Sequence, residues 1–158
     1  MTDFRALLQA LAQARVRFII VGGAAATAHG SARLTQDLDV VYDRSPENLR
    51  RVVTALAPHE PYLRGAPPGL PFTLDEQTLA MGLNFTLTSK LGDIDLLGEI
   101  VGGGGYGDLE AHTVELRLFG ITCLCLDIEK LIEVKRAAGR PKDLEVLAEL
   151  AAIRDSKD

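Results

Sequence analysis

One segment restricts the fold and the chemistry of this 158-residue chain more than any other: VGGAAATAHGSARLTQDLDVVYD, from Val21 to Asp43. It begins where a short apolar, β-branched run ends, and that run over residues 18–21 predicts a buried strand. A glycine pair and an alanine-rich stretch follow, and they predict a turn and a short helix over residues 24–29. A second strand is predicted from Leu38 to Tyr42. The segment therefore predicts strand, turn, helix and strand in succession, with acidic residues at the second strand.

Two aspartates at this second strand, Asp37 and Asp39, are separated only by Leu38. Residues i and i+2 of a strand project from the same face, with their Cα atoms roughly 6.5–7 Å apart. Leu38 then points into the opposite, buried face. Two carboxylates placed in this way repel each other unless a cation lies between them. Mg²⁺ and Mn²⁺ prefer such oxygen ligands, so the pair predicts a divalent-metal site.

A third carboxylate is expected from a neighbouring strand, because two aspartates alone are too few ligands for a site with two metal ions. The sequence GDIDLLGE supplies it, since Asp95 lies between Ile94 and Leu96 in the same alternation of apolar and acidic residues as in the first acidic strand. Asp93 shares the face of Asp95 and could serve instead. Asp95 is preferred because Asp93 directly follows Gly92 and lies closer to the turn.

The glycine pair, Gly22 and Gly23, predicts a place where a phosphate can approach the backbone. Backbone N–H groups are accessible to an anion only where no side chain intrudes, and a helix N-terminus adds a favourable dipole. Thirteen residues, Ala24 to Gln36, separate this turn from the aspartates. A triphosphate chelated by a divalent cation needs this combination, and the chemistry it indicates is transfer at the α-phosphate.

The rest of the chain predicts an α+β (α/β) fold, a sheet with helices at the ends of the chain. The family resemblance described below implies that this β-sheet is mixed, that helices flank it and that further helices end the chain. Five prolines between residues 58 and 71 indicate a loop or flap. We expect one domain over residues 1–158, with a core of about 15–125 and a C-terminal helical part of about 127–154. Helices are predicted over about 3–14, 46–57, 127–138 and 141–153, and further strands over 83–88, 94–97, 114–118 and 121–124.

Composition limits the class of protein. Hydrophobic residues make up 47% and charged residues 25%, which is typical of a globular chain. The net charge of −5 argues against a protein that mainly coats nucleic acid. Cys123 and Cys125 are interpreted as small apolar core residues of a reduced protein. No signal peptide or membrane span is indicated, so we expect a cytoplasmic protein without membrane contact.

A glycine-rich stretch matches another motif by its letters alone. Gly102, Gly104 and Gly107, with Asp127 twenty residues further on, fit the dinucleotide-binding fingerprint. A strand is predicted after these glycines, whereas the fingerprint requires a long helix. A mobile loop is the preferred interpretation.

The spacing of an apolar residue, Gly-Gly, thirteen residues and Asp-Leu-Asp-Val resembles the signature of the DNA polymerase β-like nucleotidyltransferase superfamily. With His29-Gly30, Arg33 and Thr35 included, the segment resembles the small prokaryotic branch of AbiEii-type toxin and minimal nucleotidyltransferases. The C-terminal KRAAGRPKDLEVLAEL is similar to that branch too. The resemblance runs from about Ile19 to Leu150 and implies a nucleotidyltransferase-like domain.

The resemblance implies roles for single residues. Asp37, Asp39 and Asp95 match catalytic, metal-binding carboxylates, and Lys135 matches a lysine that reaches the nucleotide phosphates. The family often has Ser where this chain has Gly23, so the backbone must replace that hydroxyl here. The residues expected to bind nucleotide are Gly22, Gly23, His29, Arg33, Thr35 and Lys135.

Several of these residues have a structural alternative. His29 either contacts a phosphate or caps the short helix. Arg33 either meets a phosphate or pairs with Asp37 or Asp43, and Thr35 is more simply a residue that orders the loop before the strand. Lys135 would ordinarily be a solvated lysine on an exposed helix face. Arg140, Lys142 and Asp143 are interpreted mainly as a structural cluster at a helix start.

The expected function is transfer of a nucleoside monophosphate from an NTP such as ATP to an acceptor hydroxyl, with Mg²⁺ or Mn²⁺ as cofactor. By resemblance, the acceptor is RNA such as tRNA, or a protein, and the context is a toxin–antitoxin system with a cognate partner protein. The alternative is a non-catalytic, antitoxin-like binding module on the same fold. Retention of all three acids favours the enzyme.

Overall fold

Within the residues that the structure describes there are nine strands, and most of them form one mixed sheet. The computed structural model describes residues 1–156. The strands are β1 (Phe18–Val21), β2 (Asp37–Tyr42), β3 (Tyr62–Leu63), β4 (Phe85–Ser89), β5 (Gly92–Leu97), β6 (Glu99–Ile100), β7 (Gly104–Gly105), β8 (Thr113–Leu118) and β9 (Ile121–Leu126). Seven of them form a sheet in the order β3-β4-β5-β2-β1-β9-β8, and β6 pairs with β7 separately.

The α-helices are α1 (Phe4–Gln13), α2 (Gly22–Ala28), α3 (Pro46–Leu56), α4 (Glu76–Met81), α5 (Tyr106–Leu109), α6 (Ile128–Ala138) and α7 (Pro141–Ser156). Helices α1, α3 and α6 begin at the capping residues that the sequence indicates. Asp3, Ser45 and Asp127 each accept a hydrogen bond from the backbone three residues on, and Gly139 ends its helix at a φ of +66°.

The strand β2 lies at the middle of the large sheet and joins its two halves. It runs parallel to β5 and antiparallel to β1, and β1 in turn runs parallel to β9. The predicted α+β fold with a mixed sheet, flanking helices and C-terminal helices is confirmed. The parallel register of β2 and β5 places Asp39 beside Asp95 and Asp37 beside Asp93.

The two faces of these central strands differ in character. Leu38 and Val40 of β2 are almost fully buried, and they alternate with the two aspartates. Helix α1 covers the apolar face, since Leu8 lines a small cavity together with Leu38. Helix α6 covers the other face, where Val134 lines a cavity together with Asp39. The acidic residues therefore lie between the sheet and the C-terminal helices.

The structure differs from the sequence prediction in two segments and at several element boundaries. The proline-rich segment contains the short strand β3, and helix α4 follows it, capped by Asp75. The glycine-rich stretch forms the β6–β7 hairpin and the four-residue helix α5, so the long helix of the dinucleotide fingerprint does not follow it. Helix α2 begins at Gly22 itself, two residues earlier than predicted.

Two smaller features complete the fold. Cys123 and Cys125 are buried side chains of β9 within the apolar core, as predicted. Within residues 1–156, no helix combines the length and the apolar character that crossing a membrane requires.

Candidate metal and nucleotide site

Three carboxylates converge at the junction of β2 and β5. Because the parallel register puts Asp39 opposite Asp95, and Asp37 shares their face, one oxygen of each side chain lies within 4.8 Å of the others. Asp39 Oδ1 is buried and has no hydrogen-bond partner among residues 1–156. A buried, unpartnered carboxylate oxygen is costly unless a cation or a proton satisfies it. The three oxygens therefore fit a hard divalent cation such as Mg²⁺ or Mn²⁺.

The pKa shifts of the clustered carboxylates also favour a bound cation. Burial and the neighbouring charges of Asp37 and Asp95 raise the pKa of Asp39 to about 8. Burial is also the main cause that raises the pKa of Asp95, against the lowering effect of the Arg64 guanidinium. The folded protein thus holds several carboxylates closer together than their charges favour, and a divalent cation would offset this repulsion.

Gly22 lies directly against one carboxylate of the acidic cluster. A Cβ atom built on Gly22 would lie 2.1 Å from Asp39 Oδ2, and the residue has a φ of +64°. Both the close approach of the carboxylate and the left-handed backbone exclude other residues. The glycine predicted to lie near a phosphate is therefore also the residue that leaves room for the central carboxylate.

Gly23 is paired in a similar way with Thr35. A Cβ atom on Gly23 would lie 2.9 Å from Thr35 Oγ1, and that hydroxyl donates to the Asp37 carbonyl at 3.1 Å. This contact orders the loop before β2, as the structural alternative for Thr35 states. Gly23 and Thr35 also line a cavity of about 790 Å³ that opens over the site. Their contact with a nucleotide stays a prediction.

Lys135 reaches the site from α6, and its environment differs from that of a solvated lysine. Its side chain is only 13% exposed, and Nζ lies 3.5 Å from Oδ1 of Asp143. Asp143 is buried at the start of α7 and also accepts from Arg140 Nε at 2.6 Å. Although burial opposes it, the hydrogen bond from Arg140 and the two positive charges lower the pKa of Asp143. Asp143 therefore holds Lys135 and Arg140 in place beside the acidic cluster.

His29 and Arg33 are the two remaining residues that were expected to bind nucleotide, and both contact other groups of the protein. His29 is buried at the end of α2, and its Nε2 lies 2.6 Å from the Leu126 carbonyl oxygen. His29 thus lies at the end of the short helix, which was the alternative to a contact with a phosphate. Arg33 is half exposed, lines the larger cavity and lies 3.4 Å from a carboxylate oxygen of Glu145. Roles for His29 and Arg33 in nucleotide binding stay predictions.

The sequence analysis did not identify Arg64, which follows β3. Its guanidinium donates to Asp95 Oδ1 at 2.7 Å and lies 3.6 Å from Asp37 and 3.4 Å from Asp93. Asp93 thus faces Arg64, whereas Asp95 faces both Arg64 and the other two acids. Nothing in the proline-rich segment marks this arginine, because the pairing of β3 with β4 alone brings it to the cluster.

Two cavities open onto the acidic cluster. The larger, of about 790 Å³, is lined by polar and apolar groups in similar measure, and the smaller, of about 340 Å³, has mostly aliphatic walls. Both cavities reach Asp39, which lies where they meet. The residues shared by the two linings are Gly22, Asp39, Leu97, Lys135 and Arg140.

Comparison with known proteins identifies the fold. No family model matches the sequence, and no curated protein matches it. A proposed nucleotidyltransferase from Thermotoga maritima, known from a crystal structure, is similar with a TM-score of 0.57. The match covers 94% of this chain and 89% of that chain at 13% sequence identity. The chain therefore has a nucleotidyltransferase-like fold, which carries a cluster of three acidic residues able to hold a metal ion.

Proposed function

We propose that this protein is a divalent-metal-dependent nucleotidyltransferase, which moves a nucleoside monophosphate from an NTP to an acceptor hydroxyl. One observation carries the proposal. Asp37, Asp39 and Asp95 come together at a site where one oxygen of Asp39 is buried and unpartnered and the other lies against Gly22. An acidic cluster on a solvated strand edge would have its oxygens in water, and it would not require a glycine at the point of closest approach.

The metal ion would be Mg²⁺ or Mn²⁺, held by Asp37, Asp39 and Asp95. When bound, it neutralises phosphate charge and lowers the pKa of the acceptor hydroxyl. Lys135 and Arg140 lie at the junction of the two cavities, where they would contact the phosphates. Arg33 and Lys142 line the larger cavity and add positive charge for the polyphosphate.

The reaction is an in-line displacement. The acceptor oxygen forms a bond to the α-phosphorus, the bond from that phosphorus to the oxygen bridging to the β-phosphate breaks, and pyrophosphate leaves. The hydroxyl proton passes to a carboxylate, and Asp39 or Asp95 accepts it. Because Asp143 fixes Lys135 before the substrate binds, little reorganisation is needed as charge develops on the leaving phosphates.

The finer assignment rests on the resemblance of the sequence motifs. We propose that the chain belongs to the small prokaryotic branch of AbiEii-type and minimal nucleotidyltransferases, and that it acts in the cytoplasm. The proposed acceptor is RNA such as tRNA, or a protein. The proposed context is a toxin–antitoxin system in which a cognate protein partner controls the activity.

The test is a transfer assay with each of the four NTPs labelled at the α-phosphate, in Mg²⁺ or Mn²⁺, with cellular RNA or protein as acceptor. We expect label on one acceptor class and none after chelation with EDTA. Asp39→Asn should abolish transfer while its circular dichroism spectrum stays native. Glu115→Gln, an exposed carboxylate change on the outermost strand β8, is the matched control and should retain transfer. Absence of label from every acceptor would contradict the proposal.

One observation favours the alternative of a non-catalytic binding module. Arg64 contacts Asp37, Asp93 and Asp95 and so neutralises part of the acidic cluster without a metal ion. A module that kept the fold but lost turnover could use this internal cation permanently. Calorimetry that shows nucleotide binding, combined with no transfer to any acceptor, would favour this second function.

A further inference from the structure

The two cavities that meet at Asp39 have different chemistry. Beyond the shared residues, the larger one is lined by charged and polar side chains, among them Arg33, Lys142, Asp37 and Asp95, and by a few apolar side chains. The smaller one is lined mostly by aliphatic side chains, with Glu99 among its few charged residues: Val21, Glu99, Ile100, Val101, Leu131, Val134, Ala138 and Asp143. A ligand that spans the junction would therefore place its anionic part in one cavity and its apolar part in the other.

The walls of the smaller cavity come from two elements that contact each other. The β6–β7 hairpin supplies Ile100, and α6 supplies Val134 and Ala138. At the hairpin turn, a Cβ atom built on Gly102 would lie 2.4 Å from the Ala137 Cβ, and Gly102 has a φ of +78°. The hairpin thus packs directly on α6 through a position that only glycine can occupy, and this contact sets the spacing of the two walls.

We infer that the smaller cavity binds the nucleobase of the NTP. This inference rests on the proposed function, because it takes an NTP as the ligand whose phosphates lie at the shared residues. A nucleobase has two broad faces that pack well against aliphatic side chains, whereas a polyphosphate there would lose its hydration and gain no cationic partner beyond the shared Lys135 and Arg140. The polyphosphate would therefore extend into the larger cavity, and the α-phosphate would lie at the junction beside Asp39.

Binding measurements on the full chain can separate the base from the phosphates. The two probes are α,β-methylene-ATP, which resists cleavage at the α-phosphate, and inorganic tripolyphosphate, both with Mg²⁺. We expect Ala138→Phe, which fills the smaller cavity, to weaken binding of the ATP analogue by about tenfold or more. Binding of tripolyphosphate should change by less than about twofold. Equal weakening of both probes, or of neither, would overturn the inference.

A matched control exists elsewhere in the chain. A cavity of about 290 Å³, also largely apolar, lies against the opposite, apolar face of the central strands and is lined in part by Ala28 and Leu38. Ala28→Phe should leave the affinity for both probes unchanged. A loss of analogue binding in Ala28→Phe as large as that in Ala138→Phe would contradict the assignment of the base to the smaller cavity.

The wild-type protein distinguishes failure of this inference from failure of the proposed function. If it binds tripolyphosphate as tightly as the ATP analogue, the base adds nothing and only the base site is wrong. If it binds neither probe, the proposed function and the base site both fail.

Photolabelling gives a result that does not depend on the folding of any variant. We expect 8-azido-ATP to label peptides from residues 97–101 or 131–138, and excess ATP to suppress that labelling. Labelling confined to residues 31–36, which lie in the larger cavity, would overturn the inference.

Discussion

On one face of β2 and β5, Val40 and Leu96 are completely buried in the apolar core, whereas on the other face Asp39 and Asp95 crowd their carboxylates together. The apolar face of these two strands thus stabilises the fold, whereas the repulsion between carboxylates on their acidic face destabilises it. From this crowding we expect the acidic face to lower the stability of the metal-free protein, whereas the apolar face raises it. Each prediction below tests one side of the contrast.

The largest effect on stability is expected on the apolar face. Leu96→Ala should lower the free energy of unfolding by about 2–5 kcal/mol, because Leu96 is fully buried and its loss leaves a cavity. At roughly 2–4 °C per kcal/mol for a chain of this size, thermal denaturation will detect the change easily. Asp93→Asn on the acidic face is the matched comparison and should cost less than about 1 kcal/mol. A larger loss for Asp93→Asn than for Leu96→Ala would show that the contrast between the faces is wrong.

The acidic face should make the metal-free protein less stable as the pH rises. The pKa of Asp39 is raised to about 8, so between its ordinary value and 8 the folded state binds more protons than the unfolded state. The free energy of unfolding should therefore fall from pH 6 to pH 8.5 in EDTA, by up to ~1.4 kcal/mol per pH unit from this group. Asp39→Asn removes the titrating group, and its Tm should fall less over the same range. Parallel Tm curves for the two proteins would contradict the prediction.

Divalent cations should reverse this loss of stability. Mg²⁺ at about 100 times its Kd should stabilise the wild-type protein by ~2.7 kcal/mol. At one fixed Mg²⁺ concentration, the rise in Tm should be larger at pH 8.5 than at pH 6, because the carboxylates must be deprotonated to bind the ion. Asp39→Asn should show little rise, and NaCl at equal ionic strength should not reproduce the effect. An equal rise in Asp39→Asn would mean that Mg²⁺ binds elsewhere.

The smallest effect is expected from Arg64, which lies against the acidic cluster in the absence of a metal ion. If its guanidinium competes with the cation, Arg64→Gln should tighten Mn²⁺ binding by roughly fivefold, or about 1 kcal/mol. Arg117→Gln, an exposed change of the same charge on β8, should leave Mn²⁺ affinity unchanged. Weaker Mn²⁺ binding in Arg64→Gln would show that the arginine supports the metal site rather than opposing it.

The local features of the site were predictable because they depend on residues near one another in the sequence. The bounds of β1, the hairpin at Phe119-Gly120 and the capped helix α6 all follow from short-range patterns, and the structure confirms them. The alternation around Asp39 likewise predicted which face of β2 is acidic. The choice of Asp95 over Asp93 as the third acid also agrees with the geometry, whereas its catalytic role stays a prediction.

The features that the sequence did not predict depend on long-range pairing. Strand β3 has only two residues, and the prolines around it indicate a loop, so its pairing with β4 could not be foreseen. That pairing brings Arg64 to acids some thirty residues away in either direction. The burial of Lys135 is of the same kind, because it requires α7 to pack beside α6 and to present Asp143.

The residue pattern alone was enough to specify three acids, a glycine pair and the strands and helices next to them, because strand alternation and turn chemistry act over a few residues. The partners of those groups, however, depend on how distant elements pack. Charge interactions and cavities depend on distance in space, so the internal cation at the acidic cluster and the aliphatic cavity beside it exist only once the sheet and the C-terminal helices have assembled.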